Sequence, residues 1–271
     1  MSTVNEIERA RVAEAFNSVA ESFEAVLEND ITRGLRQRIY ETIRSLTPPG
    51  SNILDINCGT GIDAVALAEE GYKVVGIDVA PKMIEEAKRR SKKVGANNVE
   101  FLVGSFEDLS LLTGRRFDLV LSNFGGLNCV NSLNTVAEQV AQVVRPGGYF
   151  VAMVMPPVCL WEIVAGLVRM NFRFAFRRLR KNVQATGFRG GTFTVHYYSP
   201  RTFTAAFRRW FKVRKIMGLN IISPPPHATG FKTIYPRLSS RLERLEGIVA
   251  RLPGVRGAGD HFVAVLQKLE S

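Results

Sequence analysis

Between residues 5 and 46 the apolar positions keep helical time. Ala10, Val12, Ala15, Phe16, Val19 and Phe23 recur every one to four positions, and Ile31, Leu35, Ile39 and Ile43 recur every four, the spacing that lines one side of a helix. Pro48-Pro49-Gly50 ends this preface. The pattern then changes. Short apolar runs at 52–56, 73–78, 99–103, 117–122 and 149–155 read as strands. Helical stretches separate several of them: 60–70, closed by Gly71 at its C′ position; one opening on Pro81, with Met83, Ile84 and Ala87 facing in; and 133–143, stopped by Arg145-Pro146-Gly147-Gly148. Strands and helices in this rhythm predict a parallel, doubly wound α/β sheet.

Pro156-Pro157 breaks the alternation. After it the spacing predicts a helix over 161–181, a short strand over 192–198, a helix from Pro200 to about 210, and strands over 213–222 and 261–266 with a helix over 238–252 between them. The expected architecture is a mostly parallel seven-stranded sheet with a helical N-terminal preface and a lid inserted after the fifth strand. Its expected parts are an N-terminal helical lid (1–50), a core (51–155), a substrate-lid insertion (156–199) and a C-terminal completion of the sheet (200–271).

Composition narrows the class. The chain has 271 residues, 46% of them hydrophobic and 23% charged, values ordinary for a globular protein. The first residues carry neither a basic n-region nor an apolar h-region, so no signal peptide is expected. No apolar run reaches the ~20 residues of a spanning helix. Cys58, Cys129 and Cys159 show no paired spacing, so neither a metal site nor a disulfide framework is expected, and a reducing cytoplasm is the default. The net charge is +11, and it is concentrated: residues 160–257 hold 19 Lys and Arg against 3 Glu. Such a basic part suits phosphate-bearing substrates, an anionic membrane or RNA, and equally a solvated surface.

The chemistry begins at Ile53-Leu54-Asp55-Ile56-Asn57-Cys58-Gly59-Thr60-Gly61, followed by Val74-Val75-Gly76-Ile77-Asp78. A strand, a glycine turn, a helix and a second strand ending in a carboxylate make half of a nucleotide-binding unit. Asp78 falls where a ribose diol lies. Asp55, just before the turn, would repel a pyrophosphate but would stabilise the ammonium of an amino-acid tail, which argues against a dinucleotide.

Residues 54–61 resemble motif I of the class I S-adenosylmethionine-dependent methyltransferases. The resemblance continues through Gly76-Ile77-Asp78-Val79-Ala80-Pro81-Lys82-Met83-Ile84, Phe117-Asp118-Leu119-Val120 and Val144-Arg145-Pro146-Gly147-Gly148, in order, over about 52–155. It implies a Rossmann-like fold and S-adenosyl-L-methionine as cofactor, with S-adenosyl-L-homocysteine as product. It also implies a set of contacts: Asp55 and the backbone of Asn57, Gly59 and Gly61 at the methionine portion; Asp78 at the ribose; Val79 and Met83 flanking the adenine; Ser105 and Phe106 at the adenine edge; Asn123 and Phe124 where the methyl group meets its acceptor.

Three positions depart from the family pattern. Asn57 stands where glycine is commonest, and Asn tolerates the left-handed region best among the other residues. Ser105 stands where many relatives carry Asp. Phe23 replaces a Tyr of the N-terminal lid.

Methyl transfer needs a base only when the acceptor must lose a proton. His196 and His227 are candidates, with Tyr198 beside the first. Phe23, Phe124, Trp161, Tyr197 and His227 are candidates for the acceptor site. Arg169, Arg173, Arg177 and Lys181 fall four apart among Leu167, Phe172, Phe174, Phe176 and Leu179. An amphipathic basic helix over 161–181 would suit a membrane interface or an anionic amphiphile, or else form a lid with a solvated face. Three functions therefore stay open. One is transfer to a small or medium apolar or lipid-like acceptor, with peripheral membrane contact. The second is methylation of RNA or protein through the basic part, against which no separate RNA-binding module is recognisable. The third is non-catalytic cofactor binding.

Overall fold

The computed structural model describes residues 3–180, 183–185 and 192–270. The preface consists of α1 (Thr3–Asn17), α2 (Phe23–Leu27) and α3 (Asp30–Leu46). Asn29 starts α3: its side chain accepts from the N–H groups of Ile31 and Thr32, and Thr32 Oγ1 accepts from the Asn29 N–H, a reciprocal cap that satisfies otherwise orphaned donors.

The core alternates as expected: β1 (Asn52–Asp55), α4 (Ile62–Glu69), β2 (Lys73–Asp78), α5 (Pro81–Val94), β3 (Val99–Val103), β4 (Phe117–Ser122), α6 (Leu133–Val143) and β5 (Val144–Val154). Beyond it come α7 (Leu160–Val168), α8 (Phe172–Ala175), the pair β6 (Val183–Ala185) and β7 (Phe193–Val195), α9 (Pro200–Phe207), β8 (Phe211–Leu219), α10 (Thr229–Ile234), α11 (Pro236–Val249) and β9 (His261–Lys268). The seven-stranded sheet runs β3-β2-β1-β4-β5-β9-β8, and β6 and β7 pair antiparallel to each other. Only β9 opposes its neighbours.

Alternate strand residues feed two cores. Ile53, Leu119 and Val151 pack with Ile39 and Ile43 of α3 and with Leu67 and Ala87 of α4 and α5. Leu54, Val120 and Phe150 pack with Val136 and Val140 of α6 and with Phe203 and Phe207 of α9. Chain order reverses between β1 and β4, so a crevice opens at their carboxyl ends, where doubly wound sheets bind ligands.

Several boundaries differ from expectation. β5 starts at Val144, and residues 145–148 loop out between the pairs Phe117–Val144 and Leu119–Tyr149. The single helix expected over 161–181 is broken. α7 stops at Val168, Met170 takes a left-handed φ of 53°, and the chain folds back so that a Cβ on Gly166 would lie 2.7 Å from that of Ala175. Arg169, Arg173 and Arg177 therefore do not line one continuous face, and Arg177 turns onto Glu162. Lys181 lies outside the described residues. No helix among the described residues is long and apolar enough to cross a membrane.

Candidate active site

At the crevice the turn after β1 is built on two left-handed glycines, Gly59 (φ 53°) and Gly61 (φ 77°). Their reasons differ. A side chain on Gly61 would strike Ala87 Cβ at 2.8 Å and Phe101 at 2.9 Å, so this glycine lets α4 approach α5. Gly59 is open toward the ring of Phe23, 4.0 Å from where its Cβ would be, and it lines a cavity of about 330 Å³. The cavity is roofed by α1, Phe23 and the β7 segment, and walled by the loops after β2, β3 and β4.

The candidate residues divide sharply. Asn57, Gly59, Asp78, Val79, Ser105, Phe106, Asn123, Phe124, Phe23 and His196 all line this cavity. Met83 does not: it is fully buried among Ala20, Ala80 and the rings of the preface, so it belongs to the packing of α5. Gly61 also lies behind the wall, and its N–H donates to the Cys58 carbonyl at 2.9 Å. Tyr198 is committed elsewhere, its hydroxyl donating to the Val130 carbonyl. Tyr197 sits under the Arg178 guanidinium, 5.5 Å from ring centroid to Cζ, and Trp161 packs edge-on against Phe231 at 4.9 Å. Those two residues and His227 are not in the cavity wall. Trp161 and Tyr197 are partly buried against Phe231 and Arg178 instead, and His227 is exposed.

Asn57 is a further correction. It is not among the described residues with positive φ. Its side chain instead donates to the Asn123 carbonyl at 2.7 Å and accepts from Ser122 Oγ at 2.6 Å, tying the turn after β1 to the end of β4. Just past the end of β4 the backbone carries strain. Phe124 has φ 48° and lies beneath the Arg36 guanidinium, 4.4 Å from its ring centroid. A left-handed phenylalanine costs of order 1–3 kcal/mol, and such strain clusters at functional sites.

The charges are arranged by strand ends. Asp78 Oδ2 accepts from the Gly59 N–H at 3.0 Å and Oδ1 from the Ala80 N–H at 2.9 Å. Burial pushes this carboxyl up, the two N–H groups oppose, and the net value is about 6. Asp55 lies just beneath the floor, 1% exposed, and neither carboxylate oxygen has a hydrogen-bond partner. Burial first, then the nearby charge of Asp63, raises its pKa well above the usual range. An orphaned buried acid is costly unless a cation approaches it.

Sequence reasoning missed the group that faces Asp55. Asp63 accepts from Tyr40 Oη at 2.6 Å and Asn123 Nδ2 at 2.9 Å, and pairs with Arg36 at 2.6 Å. Arg36 also pairs with Glu28 at 2.8 Å. Burial lowers its pKa, but Asp63 and Glu28 more than reverse this. The clue was present: Arg36 falls between Leu35 and Ile39 on the buried stripe of α3, where a charge needs a partner. Glu8, Arg9, Glu107, Cys129 and Asn131 also line the cavity. Glu8 Oε1 accepts from the Thr194 N–H at 2.7 Å, joining α1 to β7. Burial lowers the His196 pKa, with Glu8 opposing, so the imidazole is neutral near pH 7.

Comparison with known proteins agrees with this geometry. Residues 48–158 match the model of a methyltransferase domain. A demethylmenaquinone methyltransferase of Lactococcus lactis is 33% identical over 159 residues, covering 56% of this chain and 60% of the relative. One from Bacillus cereus is 30% identical over 149 residues, covering 53% and 61%. The chain thus spans about three-fifths of the length of these curated relatives. Among solved structures, the CcbJ methyltransferase of Streptomyces caelestis superposes with a TM-score of 0.59 at 16% identity, covering 86% of this chain and 89% of that one. An S-adenosylmethionine-dependent methyltransferase of Methanosarcina mazei does so at 0.56 and 20%, covering 86% and 99%. The glycine turn, the strand-end acids and the family match coincide on one stretch: residues 48–158 carry a methyltransferase domain, in a fold shared with solved S-adenosylmethionine-dependent methyltransferases.

Proposed function

We propose that the protein transfers a methyl group from S-adenosylmethionine to a small or medium acceptor of largely apolar, lipid- or quinone-like character. The observation that carries this reading is the cavity itself. It is roofed, and its wall holds Phe16, Phe23, Phe106, Phe124 and Val130. Its charged residues are mostly acids: Glu8, Asp63, Asp78 and Glu107 against Arg9 and Arg36. A polymer site for RNA would present an open basic groove. The names of the curated relatives support the same acceptor class.

Bound S-adenosylmethionine would supply an electrophilic methyl group on its sulfonium. The residues present fit that group. Asp78 has carboxylate lone pairs left for ribose hydroxyls after accepting two backbone N–H groups. Asp55 and Asp63 offer negative charge to an ammonium, and Arg36 offers positive charge to a carboxylate. Ser105 and Phe106 stand at the far wall for the adenine. Toward the acceptor, the aromatic walls and the α1–β7 roof exclude water and hold the reactants in line, the main contribution a protein makes to a displacement. A ring nitrogen of His196, neutral and facing the cavity, takes the proton when the acceptor is a hydroxyl or enol.

The test is transfer of labelled methyl from the donor to a panel of phenols, naphthols and hydroxyquinones, alongside RNA and protein extracts. Turnover with the aromatic hydroxyl compounds is expected. Labelling confined to RNA or protein would overturn the acceptor class, and donor binding without any transfer would favour a sensor.

A further inference from the structure

We propose that the outer surface of α7–α8 together with α10–α11 docks this protein peripherally on an anionic lipid membrane. Both segments stand at the carboxyl end of the sheet, the end that carries the cavity: one follows β5, and the other joins the end of β8 to the start of β9. They meet where Trp161 packs on Phe231 at 4.9 Å.

Their polarity is inverted. In a helix lying on a core, apolar residues face in and polar ones out. In α7 the buried residues are Glu162 and Gly166, and in α11 they are Ser239 and Glu246. The two inward carboxylates are satisfied. Glu162 pairs with Arg177 and Arg178, both at 2.6 Å, and the Glu246 carboxylate accepts the N–H groups of Ile221, Ile222 and Ser223. The backs of both segments are thus fixed to the body, and their apolar side chains are left outside.

Val168 and Met170 are 80% and 79% exposed, with Val164, Phe172 and Leu179 also out. Ile234 and Ile248 are 68% and 67% exposed, with Tyr235, Leu238 and Leu245 beside them. An exposed apolar concentration of this kind marks an interaction surface. Its partner is indicated by charge. Arg169, Arg173, Arg180, Arg237, Arg241 and Arg244 are exposed among these residues, and none is in an ion pair among the described residues. A second copy of the chain, joined about a two-fold axis, would set this surface against itself and bring arginine to arginine. Apolar side chains between unpaired arginines instead match acyl chains beneath anionic headgroups.

Co-sedimentation of the full chain with vesicles tests this. One set is phosphatidylcholine alone; the other contains about 30 mol% phosphatidylglycerol. The wild type should partition at least about 10-fold better into the anionic set. R169A/R173A/R180A should lower anionic binding by about 100-fold, three charges near the surface being removed. V168S/M170S/F172S should lower binding to both sets by about 10-fold or more. Each variant should keep the wild-type affinity for S-adenosylhomocysteine, which shows that the fold is intact. Equal or absent binding of the wild type to the two sets overturns the proposal, as does sedimentation equilibrium showing a dimer that the serine variant abolishes. Failure of donor binding in the wild type would sink the methyltransfer reading and leave the vesicle result to stand alone.

Discussion

On the proposed assignment of Asp78 to the ribose, its carboxylate should make donor affinity depend on pH. Its pKa of about 6 in the empty protein arises from burial, partly offset by the N–H groups of Ala80 and Gly59. Ribose hydroxyls donate to the ionised form and not to the acid, so binding selects the carboxylate. At pH 7.5 a group of pKa 6 is ~97% ionised, and at pH 5 ~9%. If only the ionised protein binds, the Kd for S-adenosylhomocysteine rises about 10-fold between those values, ~1.4 kcal/mol. For stability the sign is the reverse. A carboxyl whose pKa is raised on folding imposes no penalty below the unfolded value of 3.8, and the empty protein loses stability as pH rises through about 6. Acid therefore strengthens the empty fold at this group while weakening the complex. Titration calorimetry across pH 5–7.5, on the wild type and on Asp78→Ala, measures the binding part, and chemical denaturation of the ligand-free protein over the same range measures the stability part. The variant should bind ~1–3 kcal/mol more weakly, having lost charged hydrogen bonds, and its Kd should no longer follow the wild-type slope. A flat wild-type profile, or a variant that keeps the slope, would refute the assignment of Asp78 to the ribose.

Three further outcomes separate packing from chemistry. Met83→Ala should cost ~2–5 kcal/mol of stability in chemical denaturation, as a buried large-to-small change does, with donor affinity unchanged in the folded protein; a weaker affinity would return Met83 to the ligand wall. Gly61→Ala combines a φ of 77° with a contact at 2.8 Å to Ala87, and thermal melts should show a loss of ~2–4 kcal/mol. His196→Gln should leave donor affinity intact and lower kcat by ~10²-fold or more with a hydroxyl acceptor; an unchanged kcat in a turnover assay would remove the base.

How far the sequence could be read depended on whether a residue's neighbours lie close along the chain. The β1–α4–β2 unit was legible because its signs are local: two apolar runs, glycines with positive φ, and an acid at a strand tip. With the family resemblance that these signs carry, Asp78, Gly59, Asn123 and Phe124 were expected at one site, and all four line one cavity. Asn57 was harder, since a substitution for glycine suggests a left-handed backbone. The turn in fact keeps ordinary φ there and uses the amide to hold Ser122 and Asn123, 65 and 66 residues away. Met83 misled because helical spacing marks an inward face without saying whether core or ligand fills it. Arg36 and Asp63 escaped notice because their pairing joins α3 to α4 across the glycine turn.

The same limit explains the misread basic helix and gives the segment after β5 its stiffness. A repeat of four places Arg169, Arg173 and Arg177 alike on paper, yet only the first two are free of an ion pair among the described residues, and Arg177 is less exposed than they are. Arg177 is drawn to Glu162, and Arg178, just beside it, is 5% exposed between Glu162 at 2.6 Å and Asp260 at 2.5 Å. Burial alone would push the Asp260 carboxyl up, but His261 and then Arg178 hold it well below the usual carboxylate range. The acids and arginines of this cluster balance, so removing one partner leaves a buried charge uncompensated, an event that costs ~3–5 kcal/mol. Cys159, Glu162 and Asp260 lie close enough together to suggest a cation site, and the Arg178 guanidinium already fills that electrostatic role. The cluster locks α7 and the Arg177–Arg178 turn to the start of β9 while His196, one residue before Tyr197 under Arg178, faces the cavity. A rigid inner side of this kind lets the outer side remain apolar without collapsing onto the core.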